Sequence, residues 1–203
     1  MKLRLVASIC LVLLILPVVK AEIVEEVVAV VAGSPLLRSD LALAETIRFV
    51  ERAPEEDEAG YMSRLLDARI RLEAQYRDLE TSGLLFRLDI DTEAGMRTLH
   101  RRTGGAVGEL LAERGLGEED LLAVARRVAA VEAYIEQRLR PRVAVTPEEI
   151  RAAHQRLLPP PRPPLEDVRD ELERLLVERA LNDRIESWTA QARARQEILR
   201  FLP

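Results

Sequence analysis

Residues 165–195 restrict the fold more than any other part of the chain. Leu165, Val168, Leu172, Leu175, Leu181, Ile185 and Trp188 step by three, four or six residues through a strongly charged segment. Such spacing gathers apolar side chains on one side of a helix and leaves charges elsewhere. A helix of roughly 30 residues is about 45 Å long, more than a small globule covers on all sides, so it is expected to bridge elements from both halves of the chain. Its partners contain few rings. Only 3% of the residues are aromatic while 48% are hydrophobic, so Leu, Val, Ala and Ile must fill the interior. These residues favour helix-on-helix packing. At 203 residues the chain has enough material for one or two closely joined domains with a real core.

Ahead of that segment, helix and strand signals follow one another. From Ile23 to Ala32, Val and Ile dominate, and Gly33-Ser34-Pro35 reads as a turn, with Leu36 and Leu37 returning as a short second strand. Ser39 or Asp40 caps a helix expected to reach Val50, with Leu41, Ala44, Ile47 and Val50 on one side. Residues 53–60 are acidic and broken by Pro54 and Gly60, so they read as a solvated linker. A longer helix runs from Tyr61 to a stop at Gly83, followed by Leu84-Leu85-Phe86, which is expected to tuck under the next element. If the next element leaves an open cleft, the same three residues would face a bound chain. Asp91 or Thr92 caps a helix to Arg102, Gly104-Gly105 breaks it, and Val107 to Arg114 resumes helical character.

Gly115-Leu116-Gly117-Glu118-Glu119-Asp120 leads into a helix from Glu119 to Arg138, with Leu121, Val124, Val128, Val131 and Ile135 as its stripe. Arg140-Pro141-Arg142 ends it. Thr146-Pro147-Glu148-Glu149 has the form of a reciprocal capping box and starts a short helix to Leu157. Pro159 to Pro164 is a proline-rich spacer that favours an extended conformation. After the long helix, Ile198 to Leu202 alternates as a strand does and is placed to pair with the Val-rich opening strand. The expected fold class is therefore mainly α, with a small β element joining the two ends. The expected organisation is a leader over 1–21, a helical region over 22–158, the spacer over 159–164, and a closing helix and strand over 165–203.

The leader is read from Lys2 and Arg4 ahead of an apolar run from Leu5 to Val19, with Val19-Lys20-Ala21 offering a small residue at the cut. A run of about 15 apolar residues interrupted by Pro17 is short for a bilayer, which asks for about 20. A secretory signal peptide is expected, with an uncut membrane anchor as the alternative. Cys10 is the chain's one cysteine and falls within the leader, so an exported form cut after Ala21 carries no thiol. Disulfides, thiolate nucleophiles and sulfur-ligated metals are then excluded. Lys2 and Lys20 depart with the leader too, which leaves no lysine for a Schiff base. Basic and acidic residues number 30 and 35 and are interspersed, so no strong field recruits nucleic acid.

No arrangement of residues points to catalysis. His100 and His154 are the two histidines, and neither has metal-ligand spacing. Neither Ser34 nor Ser39 lies in a nucleophile elbow, and Gly104-Gly105 is a helix break rather than a phosphate cradle. Glu55, Glu56, Asp57 and Glu58 form a charge run without the alternation of a calcium loop. No catalytic residue, metal ligand, cofactor or small-molecule substrate is expected.

In order and spacing, these segments resemble the N-terminal chaperone region of the periplasmic SurA-type family, which also occurs in parvulin-type isomerase precursors. Val28-Ala29-Val30-Val31-Ala32-Gly33 followed by Leu37-Arg38-Ser39-Asp40-Leu41 is similar to that family's Val-rich strand, turn and Ser-Asp-Leu helix entry. Gly115 to Leu121 is similar to its Gly-Leu-Ser helix start, and Val145-Thr146-Pro147-Glu148-Glu149-Ile150 to its Val-Thr-x-x-Glu-Ile form. Two departures stand out. Ala32 replaces the family's Asn in the strand-ending turn, and only the proline spacer stands where a parvulin isomerase domain usually follows the short helix.

The resemblance implies an exported, ATP-independent periplasmic chaperone that holds unfolded outer-membrane or secreted polypeptides and does not isomerise prolines. Such a holdase needs a concave apolar surface with a polar rim. The cradle is expected between the long helix and the segments from Tyr61 to Leu116. The alternative is an envelope accessory or assembly protein, tethered or soluble, with one dedicated protein partner.

Overall fold

The computed structural model describes residues 25–105 and 107–202; the leader expected over 1–21 lies outside them, as do Ile23 and Val24. Strand β1 (Val27–Val31) and strand β2 (Ser34–Leu37) form an antiparallel hairpin. The turn between them is Ala32-Gly33, both at positive φ (49° and 79°), a two-residue link whose twist matches its strands. This corrects the expected turn at Gly33-Ser34-Pro35, because Ser34 and Pro35 already belong to β2. The register shifts between Val27 and Ala29, and this bulge lets the neighbours Val28 and Ala29 both be buried.

Helix α1 (Arg38–Thr46) starts with Asp40 accepting the Leu37 N–H at 2.8 Å. It stops short of the expected Val50. Arg48 takes a left-handed φ of 49°, Phe49 N–H donates to the Ala44 carbonyl at 2.8 Å, and Arg48 N–H donates to Glu45 at 3.0 Å. That is a helix stop usually built on glycine. Helix α2 (Glu58–Thr81) begins three residues before the expected Tyr61, since Asp57 caps it by accepting the Gly60 N–H at 2.8 Å. The acidic stretch is thus partly structural. Its Glu56 also binds Arg64, whose guanidinium holds the Glu56 carboxyl below the usual carboxylate range.

A single 3-10 turn, Leu85–Arg87, leads to α3 (Thr92–Arg102), capped by Asp91 through the Ala94 N–H at 2.9 Å. Helices α4 (Val107–Glu113) and α5 (Glu118–Tyr134) follow. Helices α3 and α5 approach so closely at Gly95 that a Cβ there would lie 2.4 Å from the Ala125 carbonyl oxygen, which makes glycine a packing requirement at this position. Helix α5 widens into a π turn, Ile135–Leu139, before the 3-10 turn Arg140–Arg142. Helix α6 (Pro147–Leu157) has the expected capping box: Glu149 accepts the Thr146 N–H at 2.7 Å, and Thr146 Oγ1 accepts the Glu149 N–H at 3.3 Å. Helix α7 (Leu165–Ala194) spans 30 residues, and β3 (Ile198–Arg200) closes the chain.

The sheet has the order β2-β1-β3, with Ala29, Val30 and Val31 opposite Arg200, Leu199 and Ile198. The first and last described strands therefore pair, as expected from their patterning. Seven α-helices and this three-stranded antiparallel sheet make the described residues mainly α.

Helix α7 buries opposite sides in its two halves. Leu172 and Leu181 are both buried and nine residues apart; at about 100° per residue they sit about 180° apart around the axis. Leu165, Val168, Leu172 and Leu176 pack with Ile150 and Ala153 of α6. Leu181, Ile185 and Trp188 join Leu72, Leu79, Leu121, Val124 and Val128 in the main core. A second core lies under the sheet, where Val28, Val31, Leu36 and Leu41 meet Leu65, Leu66 and Ile70 of α2. The molecule thus divides into a body, holding both large cores, and an arm made of α6 and the first half of α7.

Candidate functional site

Along α2, the first of the segments from Tyr61 to Leu116 expected to flank a cradle, the space beside the long helix is filled. Gln75 Nε2 donates to Thr189 Oγ1 at 2.8 Å, Trp188 Nε1 donates to Asp78 Oδ2 at 2.9 Å, and Arg195 donates to Asp78 Oδ1 at 3.0 Å. Gln196 Nε2 adds a bond to the Ala74 carbonyl at 2.8 Å, and the Tyr134 and Trp188 rings pack at a 45° tilt with centroids 4.5 Å apart. The two buried bonds, Gln75 to Thr189 and Trp188 to Asp78, add about 1 kcal/mol each and fix the register of the two helices. No chain can enter there without breaking them.

Open concave surface lies on the opposite side of α7. A groove of about 340 Å³ runs between α6 and the middle of α7, floored by Ala144, Val145, Ala152, Leu176 and Ala180. Glu149, Arg156, Arg179 and Asp183 form its rim. The floor follows from the reversal of α7: the side that meets α6 at Leu172 continues through Leu176 to Ala180, across from Val145 and Ala152. Rim charges of both signs surround an apolar floor without a net field. Thr146, through its N–H and hydroxyl, holds the Glu149 carboxyl below the ordinary carboxylate range.

The turn after α2 offers a second feature. Leu84 and Leu85 pack against the main core as expected, but Phe86 projects outward with 95% of its surface exposed. The turn is clamped to the π segment by Gln137, which donates to the Asp89 carbonyl at 2.8 Å and accepts the Asp89 N–H at 3.2 Å. Widening α5 into a π turn aims Gln137 at this loop. Sequence alone does not say which of three adjacent apolar residues faces out, because a one-residue rotation of a short turn exchanges their roles.

A third cluster is interior. Glu73, almost wholly buried, accepts from Arg77 at 2.8 Å and Arg127 at 2.7 Å, while Arg69 donates to Asp40 at 3.2 Å. These groups line a cavity of about 270 Å³ with Ser34 and Asp120. Burial pushes the Arg69 guanidinium down, against the pull of Asp40 and Glu73. Arginines and carboxylates balance here, and the cluster ties α1, α2, α5 and the hairpin together. It acts as a structural joint.

His100, in the last turn of α3, lines a cleft with Arg97, Arg101 and Glu132. His154 Nε2 donates to the Pro163 carbonyl at 2.8 Å, fastening the proline spacer to α6. The two histidines serve different elements. Among the described residues no group of three or more His, Cys, Asp or Glu side chains is placed to hold a metal, and no helix is long and apolar enough to cross a membrane. No protein-family model matches this chain, and no curated protein matches it significantly.

Proposed function

We propose that the chain is an exported, ATP-independent holdase that binds unfolded, apolar-rich polypeptide in the periplasm without catalysing a reaction. The observation that supports this reading most is the α6–α7 groove, an apolar floor of small side chains inside a rim of mixed charge. A floor of Ala, Val and Leu without a deep pocket discriminates little between side chains, which is what a binder of many sequences requires. Phe86, held outward on a clamped turn, adds an apolar contact point. The pairing of the first and last strands agrees with the arrangement that the resemblance to SurA-type chaperone regions implies. Nucleic acid, small-molecule substrates and cofactors have no part in this reading.

Aggregation of a chemically unfolded β-barrel protein, diluted into buffer with and without the purified chain and followed by light scattering, tests the proposal. Suppression near stoichiometric amounts is expected, and placing Asp at Ala152 and Ala180 in the groove floor should weaken it. No suppression at several-fold excess overturns the reading. A single stoichiometric partner from an envelope extract, in place of broad client binding, identifies a dedicated accessory protein instead.

A further inference from the structure

The two edges of the sheet are treated differently. In β2 the positions whose backbone points away from β1 are Pro35 and Leu37. Pro35 has no N–H, and the Leu37 N–H is taken by Asp40 at 2.8 Å. That edge therefore offers no donor to an incoming strand. At β3, Phe201 N–H donates to the Val28 carbonyl at 3.0 Å and Ala32 N–H donates to the Glu197 carbonyl at 2.9 Å. Together with the pairing of Val30 and Leu199, these bonds turn the N–H and C=O groups of Ile198 and Arg200 outward. No strand lies beyond β3 among the described residues.

The side chains along β3 alternate in the same sense. Ile198 and Leu202 pack on the core beneath the sheet, and Arg200 donates to Asp67 of α2 at 2.9 Å. Leu199 and Phe201 face the other way, 45% and 59% exposed. An open edge thus stands beside an exposed apolar pair spaced by two residues.

We propose that the β3 edge takes up an extended segment of polypeptide as an added strand, its apolar residues at alternate positions lying beside Leu199 and Phe201. The free backbone groups choose the occupant. Only another extended main chain presents N–H and C=O groups at the spacing of Ile198 and Arg200, whereas a helix has already used its own. Main-chain pairing tolerates many side chains, and the pleat restricts apolar ones to every second position. With only two outward residues the edge binds briefly, in keeping with a chain that must release its cargo. The identity of that cargo as unfolded client rests on the function proposed above; the edge as a strand acceptor does not.

The test uses the purified protein and a short fluorescent peptide alternating valine and threonine between terminal lysines. Amide exchange at Ile198 and Arg200 should slow about tenfold on adding peptide, while the already paired Leu199 changes little. Arg200→Pro removes an outward donor but no bond to β1, so it should weaken peptide binding about tenfold; Arg200→Ala, which loses only the side-chain bonds to Asp67 and Ser63, should stay within about twofold. Peptide binding without protection at these amides overturns the inference, and so does unchanged affinity in Arg200→Pro. Should that variant fail to fold, exchange in the unmodified protein decides alone. Protection that grows with protein concentration in the absence of peptide means that a second copy occupies the edge, which also overturns it. Aggregation suppression measured in parallel separates the two ideas: suppression without peptide protection at Ile198 and Arg200 removes the edge and keeps the holdase, while peptide pairing without suppression does the reverse.

Discussion

Helix α7 takes part in two regions built on different terms. Its second half sits in the body, where Leu181 and Trp188 meet side chains from α2 and α5 and the seam with α2 is bonded throughout. Its first half belongs to the arm, where the fully buried set is Ile150, Ala153 and Leu172. The same kinds of residue on one continuous helix therefore contribute very different stability. Cooperative strength follows the number of elements that converge on a side chain, and in the arm only two helices do. Low-stability elements of this kind are where local opening occurs.

The largest effect that separates the two regions is expected from Trp188→Ala. It removes the ring contact with Tyr134 and the donor to Asp78, and should lower global stability by about 3–5 kcal/mol in a denaturant titration. Leu172→Ala should cost about 2 kcal/mol or more locally, read as faster amide exchange through α6 with little movement of the global midpoint. If Leu172→Ala moved the midpoint as far as Trp188→Ala, body and arm would be one cooperative unit and the distinction would fail.

A smaller effect sharpens the comparison from the arm's side. Thr146→Ala removes the hydroxyl half of the α6 capping box and should cost about 1 kcal/mol, confined to the arm. Acid should act on the same cap. The native Glu149 carboxyl lies below its unfolded value, so its contribution is fully present above the ordinary carboxylate pKa of about 4.3 and fades as pH falls through the lowered native value. Exchange protection in α6 should therefore decline on acidification before that of α5. The difference should vanish in Glu149→Gln and shrink only in part in Thr146→Ala, whose backbone N–H still bonds Glu149; an unchanged decline in Glu149→Gln would show that the cap is not its source.

The smallest expected effect lies in the body. Ala32→Asn suits the positive φ of the hairpin turn and should raise global stability by about 0.5 kcal/mol. A gain that appeared only as slower exchange within the hairpin would show that the sheet opens independently of the helices.

Much of this architecture is legible in the residues. The capping box at Thr146, the cap at Asp91, the stop at Gly83 and the matching β patterns of the two ends all lie where local chemistry places them. Helix-breaking by Arg48 is not legible, because Arg favours a left-handed φ no more than other branched or long residues do, and tertiary packing of Ile47 and Phe49 imposes the stop. The need for glycine at position 95 depends on a carbonyl thirty residues away. As for the candidate groove, the six-residue step from Leu175 to Leu181 did carry its signature. Read as one stripe, that step hides a change of side; Leu175 is nearly half exposed because it falls between the two buried sides. The outward Phe86 and the unequal sheet edges depend on turn rotation and ladder register, which pattern alone leaves open.

The reversal of α7 also insulates one end of the molecule from the other. The connection at residues 159–164 enters the helix at Leu165, and sixteen residues, or about 24 Å of helix, separate that point from Leu181, the first residue anchored in the main core. Extra chain grafted into this junction would load a cantilever and leave its wall mounting undisturbed. Chain added at that tip would lengthen the arm and leave the contacts of Leu181, Ile185 and Trp188 in the main core as they are.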